Sequence, residues 1–322
     1  MANAFGGKVV NFRETFKVVN KDTLNWFPGH MGKGIRQMEQ NLKNVDCLIE
    51  VHDARIPLSG RGYADFKKTL SGLKPHILVL SKIDLTDKTY IAPALERLNE
   101  EGMTNIVQTN LKDEKCKETK KILPLMQQII SESNRFNRSQ EKDYCVMVIG
   151  VPNVGKSSLI NRLRSTHLHK PKAAAVGAVA GITRSLMNRI KISEDPLVFL
   201  LDTPGILPPN IKDQNCGLKL ALVGCSQDHL VGPELLADYL LFWLNKNNRF
   251  EYVNKLNLKE PTDDIMEVLI QIAVKNKKVK KIKNIVDGKH VYKPDFYYAA
   301  QYFLKAFRNG ELGLYCLDKD IL

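Results

Sequence analysis

The sequence predicts an α/β fold: a mostly parallel sheet with flanking helices, followed by a smaller α-helical C-terminal domain. Three observations lead there. Short apolar runs at 45–51, 76–80, 105–108, 145–149 and 197–201 alternate with longer stretches of helical period, the pattern of strands joined by crossover helices. Each run ends directly in a cluster of polar and glycine residues, and ligands gather at the carboxyl ends of parallel strands. Beyond Pro208 and Pro209 the strand pattern fades, and 218–225, 233–244 and 263–275 read as helices.

In chain order, residues 1–23 form a basic N-terminal extension. Residues 24–211 form the sheet domain, with helices at 33–43, 90–101, 119–133 and 156–163. Residues 212–322 form the helical domain, with the boundary placed near Lys212. Within 1–21, Lys8, Arg13, Lys17 and Lys21 stand against Glu14 alone, with Phe5, Val9, Val10, Phe12 and Phe16 between them. That composition fits a mitochondrial import signal or a short RNA-binding arm.

Composition narrows the class. With 322 residues and 43% apolar content the chain can bury a substantial core. Six cysteines form no C-x-x-C pair and several lie in apolar runs, so core thiols in a reducing compartment are expected rather than disulfides or zinc. No apolar run approaches the roughly 18–20 residues of a membrane span. A net charge of +13 points to a polyanionic partner. The excess concentrates in Lys275, Lys277, Lys278, Lys280, Lys281, Lys283, Lys289, His290 and Lys293 against Asp287. Such a run is either a solvated face or a contact for RNA phosphates. Tyr292, Phe296, Tyr297 and Tyr298 beside it read more readily as core than as stacking platforms.

The chemistry lies in five motifs. Gly150-x4-Gly155-Lys156-Ser157 follows a strand and opens a helix, the context of a phosphate-binding loop. Glycines let backbone N–H groups approach phosphates, and the helix N-terminus adds positive potential. The expected contacts are Gly150, Pro152, Asn153, Val154, Gly155, Lys156, Ser157 and Ser158, with Lys156 on the β- and γ-phosphates and Ser157 on Mg²⁺. In Asp202-Thr-Pro-Gly205, Asp202 is expected to hold Mg²⁺ and the Gly205 N–H to meet the γ-phosphate. The small-residue stretch 173–183 ends in Gly181-Ile-Thr183, and Thr183 is a second candidate Mg²⁺ ligand on a loop ordered by the γ-phosphate. A plain flexible loop is the alternative there. In Ser81-Lys-Ile-Asp84, the Asp84 carboxylate can accept from guanine N1–H and the exocyclic amine together, a donor pair adenine lacks. Ser81 stands where the usual string has Asn, and its shorter side chain is expected to lend less support to the phosphate loop. Thr109 and Asn110 are placed at the guanine oxygen. Asp53-Ala-Arg-Ile-Pro57 ends the fifth run without an assigned role.

Ile206 occupies the position where many GTPases carry a catalytic Gln, and an apolar side chain cannot orient water. His30, in Trp26-Phe-Pro-Gly-His-Met31, is the candidate replacement; the alternative is a turn histidine that caps the following helix. The base reader at 81–84 precedes the phosphate loop at 150–157, the reverse of the ordinary order. A fold whose termini lie close together tolerates such a rotation.

These motifs in this order resemble the YlqF-type circularly permuted GTPases. The resemblance is carried by Trp26 to Met31, Glu50-Val-His-Asp-Ala-Arg-Ile-Pro-Leu-Ser-Gly-Arg61, 150–159, 200–205, His229-Leu-Val-Gly232 and Ala237-Asp-Tyr-Leu-Leu241. It implies a circularly permuted P-loop GTPase domain that hydrolyses GTP to GDP and phosphate, using Mg²⁺, with catalytic residues His30, Lys156 and Thr183. It implies a K⁺ ion at Asn153 and a helical domain that touches rRNA during large-subunit assembly. The match reaches the mitochondrial branch of the family. Expected are the mitochondrial large ribosomal subunit as partner, a monomer in the matrix, and peripheral association with the matrix side of the inner membrane. The sequence departs from relatives at Ser81 and at Val179-Ala180, where a Pro tends to precede the Gly. Two rivals stay open: a P-loop kinase or ATPase, and a nucleotide-dependent RNA-binding module with little catalysis.

Overall fold

The computed structural model describes residues 3–5, 8–10, 12–17, 30–61, 74–135, 138–174, 188–207, 213–283 and 290–322. The chain divides into two compact units: 26–227 together with 314–322, and 1–25 together with 228–313. The division falls at Gln227/Asp228 rather than near Lys212, and each chain terminus joins the unit formed mainly by the other end of the sequence.

The larger unit is built on a six-stranded sheet. Its strands in chain order are β3 (Cys47–Asp53), β4 (His76–Ser81), β5 (Ile106–Gln108), β6 (Tyr144–Ile149), β7 (Asn188–Glu194) and β8 (Leu197–Asp202). The spatial order is β5-β4-β3-β6-β8-β7, parallel except for β7, which runs antiparallel to β8. All seven residues of β3 are buried, as a central strand covered on both faces requires. The helices α1 (His30–Asn41), α2 (Ile91–Glu100), α3 (Lys117–Ser131), α4 (Lys156–Leu168) and α5 (Gln214–Leu222) complete this unit. Their apolar stripes, such as Ile122, Met126 and Ile130 on α3 and Leu159, Ile160 and Leu163 on α4, supply core on the period of a half-buried helix.

The sheet order fixes where a ligand can lie. From β3 the chain moves outward through β4 and β5, then returns to place β6 on the other side of β3 and continues to β8. The connections after β3 and β6 leave in opposite directions, so a crevice opens between their carboxyl ends. Asp53, Ser81, Gly150 and Asp202 all stand at that edge.

The smaller unit contains α6 (Asp228–Val231), α7 (Pro233–Lys246), α8 (Glu251–Leu256), α9 (Ile265–Lys275) and α10 (Phe296–Arg308). It also holds strands that the sequence reading missed: β1 (Asn3–Phe5) with β2 (Lys8–Val10), and β9 (Val279–Lys283) with β10 (His290–Pro294). Its core uses Leu236, Leu240, Tyr252, Leu269, Phe303 and Phe307. The buried Tyr252 hydroxyl donates to Asn245 Oδ1 at 2.7 Å, and Asn245 Nδ2 donates to Thr262 O at 2.8 Å. Part of the N-terminal extension belongs here: Arg13 donates to both Asp238 oxygens at 3.0 and 2.7 Å, and Phe16 packs edge-on against Tyr239.

Candidate nucleotide site

The phosphate loop links β6 to α4. Gly150 sits at φ +145° with its α-carbon so close to the Val51 carbonyl that any Cβ would collide with backbone. Gly155, at φ +104°, directly precedes the first residue of α4. These are the two positions where the loop needs glycine. Lys156 is buried, and its ammonium donates to the carbonyls of Gly150 at 3.1 Å and Val151 at 2.9 Å. Burial pulls its pKa down to about 8, while Asp202 pulls the other way. Ser157 and Ser158 are half-buried in the first turn of α4.

Asp202, the last residue of β8, comes to the same place. Ser157 Oγ donates to Asp202 Oδ2 at 3.3 Å, while the buried Asp202 Oδ1 has no hydrogen-bond partner among the described residues. Burial raises the Asp202 carboxyl above its ordinary pKa, and Lys156 and Ser157 oppose that rise. Thr203 donates its hydroxyl to Val148 O, and Ile206 N–H donates to Gly150 O at 3.4 Å, so the turn lies over the phosphate loop. Gly205 is seated there tightly: a Cβ would meet Pro152 Cα at 2.6 Å, Pro152 N at 2.7 Å and Lys156 Nζ at 2.9 Å. An orphaned buried carboxylate oxygen beside a serine hydroxyl fits a magnesium ion bound jointly with phosphate oxygens. Among the described residues no cluster of three His, Cys, Asp or Glu could hold a metal on protein ligands alone.

The turn after β4 meets the loop from the other side. Ser81 is fully buried, and its hydroxyl lies 2.5 Å from Val154 O and 2.9 Å from His52 O. Short as it is, the Ser81 side chain reaches the phosphate loop directly through this hydroxyl. Lys82, in the left-handed region at φ +57°, donates from Nζ to Asn153 O and to Asp53 Oδ2, both at 2.8 Å. Asp84 follows in the same turn, half-buried, with its charge near Arg55. Thr109 is buried and pairs its hydroxyl with Thr119, while Asn110 Oδ1 accepts from Lys112 N–H at 3.0 Å and so braces its own loop. The next residue closes the gap: a Cβ on Gly155 would lie 3.1 Å from Leu111 Cδ1.

Asn153, at φ +58°, donates from Nδ2 to Gly224 O at 2.8 Å, which ties the loop to the segment after α5. His30 opens α1. One turn on, a Cβ at Gly34 would lie 3.1 Å from Ile206 Cδ1 and 3.3 Å from Pro204 Cγ, so α1 runs against the turn that follows Asp202. Ile206 is buried and presents no polar group. Thr183 and residues 26–29 lie outside the described residues.

Three features were missed or left without a role by sequence reading. Asp53 and Arg55 form a buried pair beside Lys82. Their motif marked a strand end but carried no assigned task. Leu111 gave no signal. Asp318 is fully buried and accepts from Leu58 N–H at 2.9 Å and Ser59 N–H at 2.8 Å, bonds across about 260 residues that no local pattern could reveal. The aromatic reading of the basic run also changes: Tyr292 is 65% exposed and Tyr297 44%, so neither is core.

Comparison with known proteins agrees with this geometry. A family model described as a 50S ribosome-binding GTPase matches residues 145–286. Mitochondrial GTPase 1 of Aedes aegypti is 58% identical over 311 residues, covering 96% of this chain and 98% of its own length. Mitochondrial ribosome-associated GTPase 1 of Bos taurus is 50% identical, covering 97% and 93%. Ribosome biogenesis GTPase A of Priestia megaterium is 31% identical, covering 92% and 96%. The crystal structure of GNP-bound YlqF from T. maritima superposes with a TM-score of 0.56 at 22% identity, over 87% of this chain and 95% of that one, and so shares the fold. The kinase or ATPase rival falls with these relatives. A rotated order of motifs, converging on one crevice, thus has its explanation in descent: the chain belongs to the family of circularly permuted GTPases that includes mitochondrial GTPase 1 and ribosome biogenesis GTPase A, and it hydrolyses GTP.

Proposed function

We propose that this protein is an assembly factor of the mitochondrial large ribosomal subunit, which it binds through rRNA and leaves after hydrolysing GTP. The observation that carries the nucleotide part is the meeting of the turn at 81–84, the phosphate loop and the Asp202 turn, through Ser81 to Val154 O, Lys82 to Asn153 O and Gly205 against Pro152. In this reading Asp84 selects guanine, Asn110 faces its oxygen while the buried Thr109, whose N–H donates to Leu80 O at 2.8 Å, anchors that loop, and Lys156 exchanges the carbonyls of Gly150 and Val151 for the β- and γ-phosphates. Ser157 and Asp202, with Thr183, would hold Mg²⁺, which neutralises charge on the transferred phosphoryl group. His30 would orient the attacking water in place of the missing Gln, and the Asn153 oxygen would face K⁺.

The rRNA part rests on the smaller unit. Across the β9–β10 ribbon Lys281 sits opposite the exposed Tyr292, a cation and a stacking surface side by side. Lys277, Lys278, Lys280 and Lys281 are all exposed. Lys280 also pairs with Asp295 at 2.9 Å, which fixes the base of the ribbon. Residence is proposed in the matrix, as a monomer, with peripheral contact to the inner membrane. No described helix is long and apolar enough to cross a membrane.

The test is co-sedimentation with mitochondrial large subunits under GTP analogue and GDP, with turnover measured with and without subunits across potassium concentrations. Binding favoured by the GTP analogue is expected, with subunit-stimulated turnover above an intrinsic rate of about 10⁻⁴–10⁻² s⁻¹. Equal sedimentation with both nucleotides and unstimulated turnover would refute it.

A further inference from the structure

The motif at 53–57 is singled out by the sequence and has no part in the chemistry above. Asp53 closes β3 with no exposed surface. It accepts from Arg55 N–H at 3.1 Å, Nε at 2.9 Å and Nη2 at 2.7 Å, and from Lys82 Nζ at 2.8 Å. Burial alone would raise the Asp53 carboxyl; Arg55 and Lys82 overcome that and hold it well below the carboxylate range, so it is an anion. The Lys82 ammonium reaches one further partner, Asn153 O in the phosphate loop. One cation therefore bridges the end of β3, the guanine-reading turn and the phosphate loop, across the crevice where the strand order reverses. The Lys82 backbone is held in the left-handed region, which a lysine keeps only when its surroundings impose it.

The turn that carries Asp53 is itself fixed from both flanks. Ala54 O accepts from Thr86 Oγ1 at 3.1 Å, and Arg55 O accepts from Leu317 N–H at 2.8 Å. Stability alone is a weak reason for a buried Asp53–Arg55 pair flanked by the partly exposed Lys82, because apolar residues of similar volume often serve as well as buried charges or better. A defined position for the ammonium is what an apolar substitute could not supply.

We propose that Asp53 is a positioning residue of the nucleotide site: it holds the Lys82 ammonium on the Asn153 carbonyl and so sets the spacing between the guanine-reading turn and the phosphate loop. This deepens the reading of residues 81–84 as the base reader. Without the carboxylate, Lys82 has no anion to retain it, the turn drifts from the loop, and bound nucleotide escapes sooner.

The test is a double-mutant cycle on release of a fluorescent GDP analogue from the full-length protein. Asp53→Asn and Lys82→Met are each expected to speed release about tenfold, and the double variant to release no faster than the quicker single variant. Release from Asp53→Asn within twofold of the parent, or effects that multiply in the double variant, would overturn the proposal. Asp53→Asn removes a carboxylate partner from the buried Arg55 cation. If that variant fails to fold, the charge-balanced Asp53→Asn/Arg55→Met is used, with the same acceleration expected and near-parental release again fatal. Asp84→Asn, titrated with GDP and xanthosine diphosphate, separates the two readings. A GDP preference that survives this change refutes Asp84 as base reader, whereas loss of the Asp53–Lys82 coupling alone refutes only the positioning role.

Discussion

Replacing Ser81 by Ala removes one oxygen atom from a site with no exposed surface. That hydroxyl has a single proton and two carbonyls within reach, Val154 O at 2.5 Å and His52 O at 2.9 Å. Whichever of the two carbonyls holds that proton loses its donor in the variant. Leaving a buried acceptor unpaired costs about 1–3 kcal/mol. How that cost is distributed decides what is measured. If the bond is equally formed with and without nucleotide, all of it appears as stability, about 2–4 °C in Tm per kcal/mol for a unit of this size. If it is formed chiefly when the turn and the loop grip guanine and phosphate, the same energy appears as about a five- to 150-fold rise in the GDP Kd. Ser81 joins the two segments that would flank the nucleotide, so the second share is expected to be large. Thermal unfolding with and without GDP, together with a fluorescent-GDP titration, resolves both shares. A Ser81→Ala protein with its GDP Kd within twofold of the parent and an unchanged Tm would refute the claim that serine does the work of the usual asparagine.

Two further expectations concern the phosphate side. The Lys156 pKa lies near 8, so the folded, nucleotide-free protein has lost about half a proton there at pH 8. Phosphates favour the charged form, so GDP binding at pH 8 should take up about half a proton. Calorimetry in two buffers of different ionisation enthalpy reads this directly, and uptake that persists in Lys156→Met would assign it elsewhere. The sign for folding follows from the same shift. Between about pH 8 and 10.5 the unfolded chain holds the Lys156 proton and the folded chain does not, so this residue contributes stability that rises with pH through that window. Gly205→Ala places a methyl 2.6 Å from Pro152 Cα and 2.7 Å from Pro152 N, atoms that cannot yield, so the Asp202 turn must lift away. Single-turnover hydrolysis should fall about 10- to 100-fold while GDP binding stays near parental. Undiminished hydrolysis would show that the Gly205 turn takes no part.

Much of the site was legible because its requirements are local. Gly150 and Gly155 betray a loop that needs backbone conformations and approaches closed to other residues. The five strands of the parallel core announced themselves by apolar runs, because burial on both faces removes alternation. β9 and β10 were not legible: Val279-Lys-Lys-Ile-Lys283 is too charged to read as a strand, and an exposed two-stranded ribbon needs no apolar face. Tyr292 was misplaced for the same reason, since aromatic character suggests burial and only the ribbon's exposure sends the ring outward.

The order of motifs along the chain was enough to identify a permuted nucleotide fold, because each motif carries its own backbone and charge demands wherever the chain begins. Three-dimensional packing alone settled which groups meet. The Ser81 hydroxyl reaches Val154 O because β4 and β6 flank β3, so the spacing of two strand neighbours sets that distance. Lys82 finds Asp53, and Asp318 finds Ser59, through the same long-range geometry. Such contacts depend on strand order and chain return, quantities that periodicity along a sequence does not encode.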